Sequence, residues 1–210
     1  MKNRFAEAMA RLPLIAILRG IRPAEAPDVL RALTSEGFLL IEAPLNSPGP
    51  YESIKAMRAI APPEVLVGAG TVKSVEEVHD IAEAGGEIIV MPHADLAVIA
   101  AAKARGLIAL PGVATPTEAF AALKAGADGL KAFPAEMITP TVVKAWRAVI
   151  PADVAIMPVG GITPETMGPY LKSGASGFGL GSALYRPGDS AAEAGRRAAA
   201  FVAAWRELTG

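Results

Sequence analysis

The sequence predicts an α/β protein built as a (β/α)8 TIM barrel with an extra N-terminal helix, and three observations in its 210 residues predict it. Short apolar or β-branched runs recur along the whole chain, each closed by Gly, Pro or a polar residue. Each run is followed by an Ala- and Glu-containing segment with helical spacing. With 52% hydrophobic but only 5% aromatic residues, the core must be made of Ala, Val, Ile and Leu, the side chains that fill parallel sheets and their covering helices.

Taken in order, residues 1–12 read as a helix in front of the first strand, placed to cover the N-terminal mouth of the barrel. Strands are expected over 14–19, 38–43, 65–68, 87–91, 108–110, 129–133, 154–158 and 177–180, which makes eight. Helices between them include 23–36, 75–84, 96–105, 117–125 and 164–173. Ser74 and Glu77 form a capping box before Val75, and Gly37, Gly85, Gly106, Gly126 and Gly174 stand where a C′ glycine belongs. No linker, charge run or low-complexity stretch interrupts the pattern, so residues 1–210 are expected to form one barrel domain near the small end of its size range. A doubly wound open sheet is the competing arrangement. It would want a Gly-rich turn after the first strand, whereas LRGIRPAEA has one glycine and no dinucleotide fingerprint.

A net charge of −1, from 20 basic and 21 acidic side chains, supplies no broad electropositive face, so nucleic acid is not expected as a partner. The absence of cysteine excludes disulfides, thiolate nucleophiles and Cys-based zinc sites. The N-terminus lacks the unbroken apolar stretch of a signal peptide, and no segment approaches the roughly 20 apolar residues of a membrane span. A soluble cytoplasmic protein with no membrane partner is the expectation. His79, in EEVHDIAEAG, reads as an exposed helix residue and His93, in MPHAD, as a loop residue at a strand end; without HxH or HExxH spacing they predict no metal site.

Barrel enzymes place their chemistry at the C-terminal ends of strands. Seven lysines (2, 55, 73, 103, 124, 144, 172) fall in helices, loops or the terminus, and Lys131 in ADGLKAFP is the exception. Strand alternation points it away from the face of Leu130 and Ala132, into the barrel, where desolvation lowers its pKa and raises the fraction of free amine able to attack a ketone. The competing role is a strand-end lysine that snorkels to the rim or pairs with a carboxylate. Glu42, in FLLIEAPL, ends the second strand among apolar residues, whereas Glu87, Asp128 and Asp153 open their strands and face the opposite end. It can shuttle protons near a reactive amine, or serve as a salt-bridge partner of Arg19 or Lys131. Arg19, in LIAILRG, suits bidentate binding of a substrate carboxylate, or a rim pair with Glu42. Thr71, in VGAGTV, could add a hydroxyl to that carboxylate or simply serve a turn or cap. Two glycine segments, VGGITPE and GLGSALY, follow the last two strands, where barrels build phosphate sites from backbone N–H groups and a helix N-terminus.

These motifs together resemble the 2-keto-3-deoxy-6-phosphogluconate and 2-dehydro-3-deoxy-6-phosphogalactonate aldolase family. LIAILRG, IEAPLNSP, VGAGTV, PGVATPTEAF, LKAFPA, VGGITPE and GLGSALYR appear in the family's order and spacing over nearly the whole chain. IEAPLNSP and Val159 ahead of the glycine pair are similar to the galactonate branch. The resemblance implies a metal-independent, cofactor-free aldolase that cleaves 2-dehydro-3-deoxy-6-phospho-D-galactonate to pyruvate and D-glyceraldehyde 3-phosphate. It implies that Lys131 forms the Schiff base, that Glu42 is the proton donor and acceptor, and that Arg19 and Thr71 hold the pyruvyl carboxylate. It further implies substrate contacts at Pro92, a phosphate site at Gly160, Gly161, Gly181 and Ser182, an influence of Val159 on C4 stereochemistry, and a homotrimer. One departure stands out: His93 occupies a position where the family would have Asn or Gly. The gluconate aldolase of the same family, a phosphosugar isomerase or thiamine-phosphate-type synthase, and a silent phosphate-binding barrel are the alternatives; the last two have no need of Lys131.

Overall fold

The computed structural model describes residues 1–210. Its elements run α1 (Lys2–Arg11), β1 (Leu14–Ile17), α2 (Ala26–Ser35), β2 (Leu40–Pro44), α3 (Pro50–Arg58), β3 (Leu66–Gly70), α4 (Val75–Glu83), β4 (Ile88–Val90), α5 (Leu96–Ala104), β5 (Ile108–Leu110), β6 (Gly112–Val113), α6 (Pro116–Lys124), β7 (Leu130–Ala132), α7 (Pro140–Arg147), β8 (Ile156–Pro158), α8 (Met167–Lys172), β9 (Phe178–Leu180) and α9 (Ala191–Thr209). Every strand pairing is parallel. Six strands form a curled sheet in the order β5-β4-β3-β2-β1-β9, and β6-β7-β8 form a second. The strand order never reverses in mid-sheet, and the first strand pairs with the last, unlike a doubly wound sheet.

Nine strand segments stand where eight were expected: the fifth is present as expected over 108–110, and the chain continues past Pro111 as an additional short strand, β6. Leu110 O still accepts from Met91 N at 3.1 Å, while Pro111 O accepts from Lys131 N at 2.9 Å. Pro111 has no N–H to carry the ladder further, so the chain passes from one sheet to the other at that residue. At the opposite seam Ser176 N donates to Ile156 O at 2.8 Å, and Val159 makes an isolated parallel bridge with Gly179.

Helix ends follow local chemistry. Capping boxes start α4 (Ser74 with Glu77), α6 (Thr115 with Glu118) and α9 (Ser190 with Glu193). The five C′ glycines all have positive φ, as at Gly37 (φ 100°), where only glycine avoids the left-handed penalty. At the end where strands start, helix α1 lies across the sheet. Arg4 and Arg58 both pair with Glu87, the first residue of its predicted strand, and Lys103 pairs with Asp128. No helix is long and apolar enough to cross a membrane.

Candidate active site

Every residue of the nine strands is buried, and only two of them carry a charge, Glu42 in β2 and Lys131 in β7. Apolar strands covered on both faces are the rule in a parallel sheet, so these two residues break it at a cost that packing alone does not repay. Glu42 is 2% exposed and Lys131 is 8% exposed. Burial pushes the Glu42 carboxyl up to about 7, against the opposing pull of the Lys131 and Arg19 cations. Burial likewise pushes the Lys131 ammonium down, with Glu42 pulling it back and Arg19 adding to the depression. Burial thus acts in opposite senses on the two groups, favouring the free amine of Lys131 and the protonated carboxyl of Glu42.

A structural salt bridge does not account for Glu42. It makes no ion pair within 4.0 Å with Arg19 or Lys131. Its Oε2 is enclosed without a hydrogen-bond donor. Space for this carboxylate comes from Gly70, at the end of β3, where a Cβ would lie 2.2 Å from both Glu42 oxygens. The next residue, Thr71, has φ +60°, a strained conformation for a β-branched side chain. The cap of α4 belongs to Ser74, which leaves the Thr71 hydroxyl without that duty.

Lys131 Nζ sits 4.5 Å from the Phe133 ring centroid. Phe133 directly follows β7, and its ring lies against the amine of this largely buried lysine. Phe133 also lines a cleft of about 330 Å3 that brings together Arg19, Val159, Gly160, Gly161, Gly181 and Ser182, six of the predicted substrate contacts. That volume suits a small ligand. Arg19 lies two residues past the end of β1 rather than within the strand, and it is exposed. The turn that carries it is held by Gly20 (φ +81°), whose N–H donates to the buried Ser47 Oγ at 2.8 Å. Val159 is 7% exposed and rests over Gly179, where a Cβ would meet its Cγ2 at 2.6 Å.

Pro92 and Thr71 are not part of the cleft wall, and neither are Glu42 and Lys131, which lie buried in the strands beside it. Pro92 lies two residues past β4, and its backbone and that of His93 pack against Gly112, where a Cβ would fall 2.6 Å from the Pro92 carbonyl. His93 is exposed. His79 is exposed on α4, as expected, and its Nδ1 accepts from Arg105 Nε at 3.0 Å.

The glycine segments do not run straight into helices, which corrects the expected helix N-terminus. Thr163 N donates to Thr166 Oγ1 at 2.9 Å and Thr166 N to Thr163 O at 3.1 Å. This local turn competes with helix formation and delays α8 to Met167. After β9, Leu184 N and Tyr185 N both donate to Gly181 O, at 2.8 and 3.0 Å, closing a turn well before α9 begins. Gly160 and Gly161 have φ of +122° and +61°, and the Glu136 carboxylate abuts Gly160, 2.5 Å from where a Cβ would sit.

Four residues around the site lie inside the quoted motifs but carry no role in the sequence analysis: Ser47, Gly70, Phe133 and Arg186. Phe133 was readable from i, i+2 alternation with Lys131. The others act through contacts between distant segments that no local pattern announces.

Residues 5–193 match the family model described as KDPG and KHG aldolase. The probable 2-dehydro-3-deoxy-6-phosphogalactonate aldolase of Rhizobium meliloti (strain 1021) is 48% identical over 198 residues, covering 94% of this chain and 93% of its own length. The 2-dehydro-3-deoxy-6-phosphogalactonate aldolase of Escherichia coli (strain K12) is 47% identical over 197 residues, 94% of this chain and 96% of that protein. A solved native KDPGal structure superposes with a TM-score of 0.92 at 46% identity, over 94% of this chain and 96% of that one. The matched segment contains both charged strand residues and the glycine turns of the cleft, and the chain belongs to the KDPG and KHG aldolase family.

Proposed function

We propose that this chain is a class I aldolase that cleaves 2-dehydro-3-deoxy-6-phospho-D-galactonate to pyruvate and D-glyceraldehyde 3-phosphate through a Schiff base on Lys131. One observation carries the reading: the only charged side chains in the strands are a buried amine and a buried carboxyl; burial favours the free amine of Lys131 and raises the Glu42 carboxyl to about 7, where it can both take up and return a proton. Lys131 Nζ attacks the C2 ketone, and loss of water leaves an iminium able to accept an electron pair. Glu42, directly or through one water, takes the C4 hydroxyl proton; the C3–C4 bond breaks, its electrons form the enamine, and the aldehyde departs. The same carboxyl returns its proton to C3, and water then releases pyruvate and regenerates the amine. Each step uses groups of this chain, so the reading calls for neither metal nor organic cofactor.

Arg19 and Thr71 are the residues we assign to the substrate carboxylate, and Gly160, Gly161, Gly181 and Ser182 to the phosphate. Pro92 supports the site through the β4 exit, and Val159 meets C4. The galactonate epimer is chosen because relatives near half identity carry that substrate in their names. We read the two sheets as one closed (β/α)8 barrel, with residues 1–210 as a single domain. Support comes from the β1–β9 pairing, the direct passage from β5 to β6 and the Val159–Gly179 bridge. A homotrimer follows from the family resemblance, and the exposed apolar side chains of Leu96, Phe120 and Met137 favour association over a monomer. The direct test compares kcat/KM for the galactonate and gluconate epimers, with pyruvate release followed through lactate dehydrogenase. A preference for the gluconate epimer overturns the substrate assignment, and no pyruvate from either overturns the reaction.

A further inference from the structure

Two guanidinium groups line the cleft, those of Arg19 and Arg186, and no acidic side chain does. Elsewhere Arg4, Arg22, Arg31, Arg58, Arg105 and Arg197 are each paired with a carboxylate, but Arg186 has no such partner within 4.0 Å. Its nearest candidate in sequence, Asp189, is engaged otherwise. Asp189 Oδ2 accepts the Arg186 backbone N–H at 2.7 Å, and the carboxylate pairs with Arg197 of α9. The Arg186 Nε donates to Ser182 O at 3.0 Å, which fixes the plane of the guanidinium beside the turn that opens at Gly181. Its two terminal nitrogens make no hydrogen bond or ion pair within the protein, and the residue lines the cleft.

We propose that Arg186 is the cationic half of the phosphate subsite and makes the enzyme selective for a phosphomonoester over the free hydroxyl at the far end of the substrate. The inference rests on the aldolase reading above. Turn N–H groups and the Ser182 hydroxyl are neutral donors, and by themselves they compensate a dianion leaving water only in part. A pre-oriented guanidinium fork adds two charge-assisted bonds in the geometry of a phosphate edge. The cleft thereby holds two arginines for two anionic groups, Arg19 for the carboxylate and Arg186 for the phosphate.

Arg186→Gln keeps a donor able to brace Ser182 O but removes the charge, and Arg186→Lys keeps the charge but removes the fork. Both are assayed on the phosphorylated substrate and on its dephosphorylated analogue, with inorganic phosphate as a competing probe. For Arg186→Gln, kcat/KM on the phosphorylated substrate is expected to fall about 10- to 100-fold, chiefly through KM, with the inhibition constant of phosphate rising in step. The loss on the dephosphorylated analogue is expected to be at least about tenfold smaller, and Arg186→Lys to lie between wild type and Arg186→Gln. Equal losses on both substrates would mean that Arg186 only braces the Ser182 turn, and no loss on either would remove it from the site; each overturns the proposal. Borohydride trapping of wild type with pyruvate, which has no phosphate, separates the two levels. Trapping with an unaltered substrate ratio in Arg186→Gln sinks this inference alone, whereas no trapping sinks the aldolase reading with it.

Discussion

Gly70→Ala isolates the placement of one carboxylate. The backbone at Gly70 is not in the left-handed region, so alanine adds no conformational strain, and its methyl group meets Glu42 alone among the three nearest atoms. Those atoms are the two carboxylate oxygens at 2.2 Å and Cδ at 2.3 Å; ordinary contact begins at 3.4 Å, so the carboxylate must retreat by about 1.2 Å. A misplacement of about 1 Å in a reacting group costs on the order of 100-fold in rate. Overpacking costs about 1–3 kcal/mol of stability, which a domain of this size tolerates as a Tm drop of roughly 2–12 °C. Gly70→Ala is therefore expected to fold, to form the Lys131 imine with pyruvate, and to cleave the phosphorylated substrate about 100-fold more slowly in kcat. Exchange of the pyruvate methyl protons in deuterated water, followed by NMR, reads the Glu42 step without the aldehyde and should slow in parallel. Shortening the acid in Gly70→Ala/Glu42→Asp makes room for the methyl group and should recover part of the loss, although Glu42→Asp alone is impaired. A folded Gly70→Ala enzyme with wild-type kcat would refute the claim that Glu42 acts from the position this glycine leaves open.

Other outcomes follow from the same geometry. The rate profile of cleavage should be bell-shaped, with an acid limb above the ordinary carboxylate range and an alkaline limb below that of free lysine, because burial raises Glu42 and lowers Lys131. Between pH 5 and 7 the raised Glu42 pKa makes the folded state hold a proton that the unfolded chain releases. Stability from that proton is present below the usual carboxylate pKa and lost as pH climbs to about 7, so Tm should fall across this window in wild type and less in Glu42→Gln. Glu87→Ala leaves Arg4 and Arg58 unpaired at the strand-start end; because the two arginines keep 33% and 23% exposure, the cost is about 2 kcal/mol, seen in denaturant melts, with kcat/KM unchanged. Val159→Thr keeps the shape over Gly179 but adds a hydroxyl, and the galactonate-to-gluconate ratio of kcat/KM should drop by about tenfold; an unchanged ratio would remove Val159 from stereochemical control.

The local elements were legible because their signals are local. The Ser74–Glu77 box and the five C′ glycines act within a few residues of themselves, and all stand as read. The isolation of Lys131 and Glu42 among apolar strand residues was legible too, since a charge in a two-sided parallel sheet breaks a composition rule visible in the string. The split at Pro111 was readable in principle from the missing N–H, but a proline closing a strand also reads as its natural end. The turn at Thr163–Thr166 was hidden by helix-compatible spacing in ITPETMGPYLK, and the hydroxyl that decides it has no signature beyond its type. Gly70, Ser47 and Arg186 sit inside the motifs VGAGTV, IEAPLNSP and GLGSALYR, but the pattern alone assigns them no role. Each owes its role to a neighbour more than twenty residues away or to the absence of a partner, and both are properties of the folded chain.

Cleavage by this chain depends on a nucleophilic amine at one strand position, and borohydride reduction in the presence of pyruvate tests for it most directly. Peptide mapping should place a single 1-carboxyethyl group on Lys131, and Lys131→Met should take up none. Reduction that leaves Lys131 unmodified, or modifies a surface lysine such as Lys124 to the same extent, would contradict it.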